Sequence, residues 1–389
     1  MLRSLTRRKL RTALTVLGIT VGIWALIVMS AMANKLTALV DGGSTYFDNK
    51  ILVTDATNPA FGFGNVPMPV EVVERVGRIP GIAVAAARVS FLLDPDNTGS
   101  GFSAPDFVIG FRAGFDQGYE TFRSELAQGR YTTLEDEGQR VVLLGADLAR
   151  KFDAGPGDAF SIHGEEFEVI GVLEPLLMFF DTTAIIPWTA AQELLVRNEA
   201  LEFEGGTDIP ILTSMVIAYP EPGADFRAIM RNIGEALPQT RAVTGEDFDD
   251  QFGSTIAIFN AIILSVALIS IVVGGLSVIN TMTMSVAERT REIGIKRAIG
   301  ASRGLIMREL VLEAGLMGFI GGLVGLGLAG LVVYVANDAG QTSGTILFLL
   351  TPWIGALGVT FSTLLGAVAG ALPAWNAARL DPVEALRYG

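Results

Sequence analysis

Hydrophobic and polar positions divide this chain into two grammars. Four stretches carry no charged residue: 12–34, 253–287, 314–337 and the run between Trp353 and Trp375. A membrane-spanning helix needs about 20 predominantly apolar residues, so each is read as a transmembrane helix. Residues 34–253 follow a different pattern, with short apolar or alternating runs bounded by Gly, Pro and Asp. Such runs predict strands at 51–54, 84–92, 107–111, 141–144, 159–162, 166–172, 184–187 and 212–218. Helical spacing predicts helices at 69–78, 145–152, 189–196 and 225–237. The last starts after Pro220 and Gly223 and is closed by Pro238. Strands interleaved with a few helices predict an α+β domain of one or two lobes. The fold class is therefore a membrane protein with four transmembrane α-helices. A large α+β extracytoplasmic domain is inserted between helices 1 and 2.

Each span has its own signature. Arg3, Arg7, Arg8, Lys9 and Arg11 precede the first with no acid among them, which places the N-terminus inside. Ala31-Met32-Ala33 has the form of a signal-peptidase site, but the apolar region is longer than the 7–15 residues of a signal core, so a retained helix is expected. Gly18 and Gly22 have the spacing that lets two membrane helices approach closely. At 1.5 Å per residue the second run would be about 50 Å long against about 30 Å of hydrocarbon, so it tilts or continues outward as a stalk. Gly274-Gly275 marks a kink or a close contact within it. The third span is dense in glycine, and the pairs Gly318/Gly322 and Gly321/Gly325 are read as packing surface. Trp353 and Trp375 fit one aromatic at each interface of the fourth, and Pro373 would loosen its last turn.

Between the second and third spans lies a charged, helix-favouring segment, 285–303. Its excess of Arg and Lys marks it as cytoplasmic. Glu292 and Lys296 stand four apart with the acid first, the better order for a helical ion pair. Gly300 can stop that helix, and Ser302 can cap the one that re-enters the membrane. A short helix across the ends of two spans is a handle for another protein. An ordinary solvated, positive-inside loop would have the same charge pattern.

The formal charge of −13 sharpens this topology. Residues 34–253 carry a net −19 and the remainder +6, an acidic outer domain between basic inner ends. That balance argues against nucleic acid or anionic headgroups as ligands of the large domain. There is no cysteine, which excludes disulfides, thiolate metal sites and cysteine nucleophiles. His163, the single histidine, sits beside Gly164 in a predicted hairpin turn and is read as a surface turn residue. One histidine makes neither a zinc site nor a triad, so no metal site and no catalytic residue is assigned. Gly155-Pro156-Gly157-Asp158 lacks the Gly-Lys-Ser/Thr ending of a phosphate loop, so the energy source must be another subunit. The acids Glu135-Asp136-Glu137 and Glu165-Glu166 are read as solvated loops. No span is read as holding a buried charge, which disfavours a secondary transporter. An intramembrane protease finds no residues to carry it.

The contiguous string from Glu288 to Ala301, Glu-Arg-Thr-Arg-Glu-Ile-Gly-Ile-Lys-Arg-Ala-Ile-Gly-Ala, resembles the signature of MacB/FtsX-type ABC transporter permeases. Residues 8–19 are similar to that family's N-terminal entry, and 378–387 to its C-terminal pattern. Gly145-Ala146-Asp147, Gly155-Pro156-Gly157-Asp158, the run 169–173 and Ile186-Pro187-Trp188 resemble the MacB-like periplasmic core domain. The resemblance implies a layout by residue number. The N-terminal segment and first span are 1–34, the core domain is 35–252 with an inserted lobe near 115–200, and the second span with stalk is 253–284. A coupling helix follows at 285–303, the third span at 304–337, an external loop at 338–351, the fourth span at 352–376 and an inner tail at 377–389. It also implies that Glu288, Arg289, Arg291, Glu292, Gly294, Lys296, Arg297, Gly300 and Ala301 contact an ATPase. Gly18, Gly22, Gly318, Gly322 and Gly325 would pack helices. Two ATPase subunits would bind ATP and Mg, this chain binding neither, and a second permease copy or paralogue would complete the complex in the cell membrane with both termini cytoplasmic. Such a permease moves its outer domain by mechanotransmission to export or extract a substrate. The alternative within the resemblance is an FtsX-like subunit that activates an extracellular cell-wall hydrolase without transport.

Overall fold

A computed structural model describes residues 9–58, 66–94, 105–121, 124–176, 179–199, 211–341 and 347–381. Arg3, Arg7 and Arg8, and the tail beyond Asp381, lie outside the described residues. The chain divides into two compact units. One is Met1–Lys35, Ile256–Asn337 and Phe348–Gly389; the other is Leu36–Thr255 and Asp338–Leu347.

Helix α1, Lys9–Phe47, opens the chain without a break, so Ala31-Met32-Ala33 lies inside a continuous helix. The elements that follow are β1 (Ile51–Asp55), β2 (Met68–Pro69), α2 (Glu71–Gly77), β3 (Ile82–Leu92), β4 (Phe107–Phe111), β5 (Leu126–Gly129), β6 (Val141–Leu144) and α3 (Ala146–Phe152). Then come β7 (Ala159–Ile162), β8 (Glu165–Leu173), β9 (Thr183–Pro187), α4 (Trp188–Glu199), β10 (Leu212–Thr213), β11 (Met215–Pro220), α5 (Phe226–Ala236) and β12 (Thr240–Val243). Among the described residues, strands run in the order β12-β1-β11-β3-β4-β9-β6-β8-β5, with β7 beside β8 and a separate β10-β2 pair. β4–β9 and β6–β8 are parallel, and the other pairs are antiparallel.

Two hydrophobic cores share this sheet. The first joins Ile51, Val53, Val72, Val76, Val216, Ile229 and Ile233, under α2 and α5. The second draws on residues from Val89 to Leu212, a longer stretch than the lobe expected at 115–200, with Leu144, Leu148, Ile162, Phe167, Ile186 and Leu194 at its centre. Asp225 caps α5 by accepting from the Arg227 amide, as the punctuation around it suggested.

Two readings of this unit need correction and one needs refining. The strand expected over 212–218 is broken at Ser214. Its hydroxyl donates to Ser90 O (3.0 Å) and accepts from Ser90 N (3.0 Å), so the side chain replaces the ladder while β10 turns to pair with β2. His163 sits in the expected hairpin turn with Gly164, both at positive φ (49° and 84°), but it is half-buried there, with its Nε2 bonded to Leu92 O at 2.8 Å. The acidic loops are not simply solvated either. Asp136 is 2% exposed and grips Arg130 through both oxygens at 2.7 Å while accepting from Thr133 N, and Glu165 pairs with Arg140 and Arg197. A carboxylate beside a run of acids looks solvated in sequence, because its cationic partner is found only in three dimensions.

Asp136 carries a stability prediction. The Arg130 hydrogen bond holds its carboxyl down at about 2, below the 3.8 of a free aspartate. The unfolded chain therefore binds more protons in this window. The stabilisation is complete above about pH 4 and is lost as pH falls toward 2. Asp136→Ala is expected to lower stability by about 2 kcal/mol at pH 7, with a smaller deficit at pH 2.5, read by thermal melts of the purified protein.

The other unit is helical. It holds α7 (Thr290–Ala298), α9 (Pro352–Ala378) and most of α1, α6 (Gly245–Glu288) and α8 (Arg303–Gln341), whose remaining turns belong to the sheet unit. Helices α1, α6, α8 and α9 are each long and apolar enough to cross a membrane. Their packing is built from small residues. A Cβ at Gly22 would come 2.7 Å from Ser270 Oγ, one at Gly18 3.3 Å from Ser277 Oγ, and one at Gly325 3.1 Å from Thr20 O. Gly318 and Gly322 abut Ser362 of α9 so closely that a Cβ on either would overlap it. Lipid provides no hydrophobic drive between helices, so such close backbone approach and hydrogen bonds such as Thr20 Oγ1 to Gly321 O (3.2 Å) hold the bundle. Gly274-Gly275 makes no break in α6, and Gly274 faces Leu365. Pro373 is absorbed inside α9, which continues to Ala378.

One exclusion fails. Glu313, within α8, is 7% exposed and pairs with Arg289 at 3.3 Å, so a span does hold a buried carboxylate. Between α8 and α9, Asn337 Nδ2 donates to Phe348 O (2.9 Å), and Asn34 Nδ2 donates to Leu349 O (3.1 Å). These bonds satisfy the non-helical backbone that apolar surroundings would otherwise strand.

Candidate functional site

The charged segment between the second and third spans folds as a short helix held by both of its neighbours. Arg289, at φ −110° and ψ 12°, is the single residue between α6 and α7, so one corner sets the direction of α7. Thr290 Oγ1 bonds Val286 O (3.1 Å) and Ala287 O (2.9 Å), tying that corner to the end of α6. At the far end Gly300 takes φ +102°, which disfavours any side chain. Ala301 N bonds Lys296 O (3.0 Å) and Gly300 N bonds Arg297 O (3.1 Å), the two bonds of a Schellman stop. Ser302 Oγ then accepts from Leu305 N (3.2 Å) and starts α8.

The inner side of α7 is anchored by packing and charge. Ile293, 5% exposed, joins Ile306, Leu310, Ala374, Ala377 and Ala378 in one core, and Gly294 is buried beside it. The Arg289 guanidinium reaches Glu313, and Lys296 Nζ reaches Glu309 Oε1 at 2.9 Å. The expected Glu292–Lys296 pair forms at 3.5 Å, so the shorter bond runs from Lys296 to α8. That hydrogen bond to Glu309 raises the Lys296 ammonium above the ordinary lysine range and keeps it cationic at neutral pH. Arg297 is half-buried, and its Nε has no hydrogen-bond partner among the described residues.

The outer side is exposed. Glu288, Arg291, Glu292, Ala298 and Gly300 are exposed, as are Ile295 (46%) and Ile299 (81%). Positions 291, 295, 298 and 299 share one helical face, so α7 presents two isoleucines flanked by an Arg and a Glu. The residues singled out in the sequence thus separate. Glu288, Arg291, Glu292 and Gly300 face out, whereas Arg289, Gly294, Lys296 and Arg297 are turned wholly or partly inward. Ala301 lies in the stop motif. Ile295 and Ile299 were missed. Their signal was an apolar i, i+4 pair out of phase with buried Ile293 in a helix otherwise rich in charge.

Two family models cover most of the chain. One described as the MacB-like periplasmic core domain matches residues 12–236, and one described as the FtsX-like permease C-terminal matches residues 264–382. The "Uncharacterized ABC transporter permease YknZ" of Bacillus subtilis (strain 168) is 30% identical over 408 residues, covering 100% of this chain and 97% of its own. The macrolide export ATP-binding/permease protein MacB of Syntrophobacter fumaroxidans is 30% identical over 465 residues, and this chain spans 63% of its length. The solved periplasmic region of MacB from Actinobacillus actinomycetemcomitans aligns with 55% of this chain and 95% of its own, with a TM-score of 0.37 and 12% identity.

Proposed function

The chain belongs to the ABC transporter permeases that join a MacB-like periplasmic core domain to an FtsX-like permease region, and from that premise we propose that α7 is where a separate ATPase subunit delivers its force. The observation that carries this is the outward face of α7. Its two exposed isoleucines between Arg291 and Glu292 form a compact docking stripe, while Arg289 and Lys296 bind it to α8. A handle that both receives a partner and is clamped to a span transmits displacement instead of bending. The unbroken α6 carries it onward, and the acidic domain, outside the membrane, acts on a substrate for export or extraction. Both termini and α7 then lie in the cytoplasm. ATP and Mg belong to two ATPase subunits. A second permease copy fits beside α6, where 6% of the residues of the apolar stretch are buried within the chain against 33–39% in the other spans.

The test is capture of the cognate ATPase by the detergent-purified permease. Ile295→Asp and Ile299→Asp should each weaken capture by about tenfold or more, because a central apolar anchor carries on the order of 2 kcal/mol. Capture and ATPase stimulation unchanged in both variants would remove α7 as the docking element. ATP-dependent movement of a substrate in vesicles would separate transport from activation of a cell-wall hydrolase.

A further inference from the structure

The acidic domain contains a cavity of about 240 Å³ whose wall holds Arg88, Phe111, Phe115, Asp116, Glu120 and Phe180. Arg88, on β3, is 6% exposed. One of its terminal nitrogens donates to Tyr46 Oη, but its Nε has no hydrogen-bond partner among the described residues. The guanidinium lies 5.2 Å from the Phe111 ring centre and 5.6 Å from that of Phe115, beside two rings that meet edge to face 5.3 Å apart. No carboxylate comes within ion-pair distance of it among the described residues.

The nearby acids are committed elsewhere. Glu120 binds Lys50 Nζ at 2.6 Å and accepts from Tyr219 Oη at 2.9 Å. Lys50 is fully buried and lies over the Tyr46 ring at 3.7 Å. Asp116 Oδ2 accepts from the Glu120 amide at 3.2 Å. A buried cation with an unmet donor is costly unless something pairs with it. We propose that this cavity is a binding site for a small organic monocarboxylate with an aromatic or compact apolar body, its carboxylate on Arg88 and its body among Phe111, Phe115 and Phe180.

Size and charge select that class. An apolar cavity of about 150 Å³ accepts benzene, so the volume here holds one ring plus a carboxylate. The wall also carries Asp116 and Glu120, so a dianion such as a phosphate monoester meets repulsion that a monoanion offsets with its single bond to Arg88. The aromatic faces match a flat apolar body. The site stands independently of the coupling role of α7.

The experiment uses the full chain in lipid nanodiscs with four probes: phenylacetate, phenylacetamide, phenethylamine and phenyl phosphate. Saturation-transfer NMR reports contact, and calorimetry gives affinity. Phenylacetate should bind saturably and about tenfold more tightly than the amide, the amine or the dianion, the scale of one charge-assisted hydrogen bond. Arg88→Met should abolish the preference for phenylacetate over phenylacetamide. Asp116→Asn removes a repulsive charge and leaves an acceptor for the Glu120 amide, so it should tighten phenylacetate about threefold. It serves as the second reading where Arg88→Met misfolds. No saturable binding, equal binding of acid and amide, preference for the amine or for phenyl phosphate, or Asp116→Asn binding no tighter than the parent would each overturn the assignment.

Discussion

Replacing Gly318 by leucine should leave almost no folded protein in detergent or membrane, whereas the same change at Gly327 should be tolerated. The two glycines lie on one helix only nine residues apart, and hydropathy does not separate them. At Gly318 even a Cβ would overlap the Ser362 carbonyl oxygen and press on Thr363 Cα at 3.2 Å, so α8 and α9 would have to separate along their contact. Overpacking in an ordinary core costs about 1–3 kcal/mol because side chains can give way. Here the opposing atoms are backbone, and the facing helix supplies Gly366 and Gly370, which abut Ala314 in turn. At Gly327 nothing lies within 4 Å of the added carbon, so leucine there meets lipid. Size-exclusion profiles and thermal melts of the two variants make the comparison. Equal stability of both would mean that α8 and α9 do not pack through this seam.

That contrast shows what the sequence could convey. Spacing alone marks Gly318 and Gly322 as a close-approach pair, because small residues four apart share a helix face. It cannot tell that Gly327 and Gly330 of the same run are open, since that depends on where α9 lies. In the acidic domain the strands at 107–111, 141–144 and 159–162 were legible to the residue, because each is a short apolar or alternating run between breakers. The edge strands β5 and β12 were not. Leu126–Gly129 reads Leu-Ala-Gln-Gly, a weak strand pattern, and it is held from outside by pairing with β8. Gly129 adopts φ +80° there, with Ile170 O and Gly171 occupying the space of a side chain. The same limit applied at α7. Gly300 and Ser302 act locally and could be read, whereas the partners of Arg289 and Lys296 lie 24 and 13 residues away. Their anchoring pairs with α8 could therefore not be read from the segment itself.

Those anchors give the second large effect. Under the proposed coupling, Glu309→Ala combined with Glu313→Ala should leave ATPase capture within about threefold of the parent, because the Ile295 and Ile299 face is untouched and Ile293 still seats α7 in its core. ATP-driven output should nonetheless be lost. With both carboxylates gone, α7 is tied to α8 only by apolar contacts and the 300–302 turn, and displacement is spent in rocking the short helix. Glu313→Ala also leaves Arg289, 30% exposed, without its closest acid, a change that costs several times a surface pair. Charge reversal separates transmission from simple destabilisation. Lys296→Glu with Glu309→Lys restores the inter-helix pair but sets Glu292 against a second acid one turn away, so it should recover part of the output that either single change removes. Full output in the double alanine variant, with capture intact, would mean that force enters the spans through the α6–α7 corner alone, and the ion pairs would then be ornaments of stability.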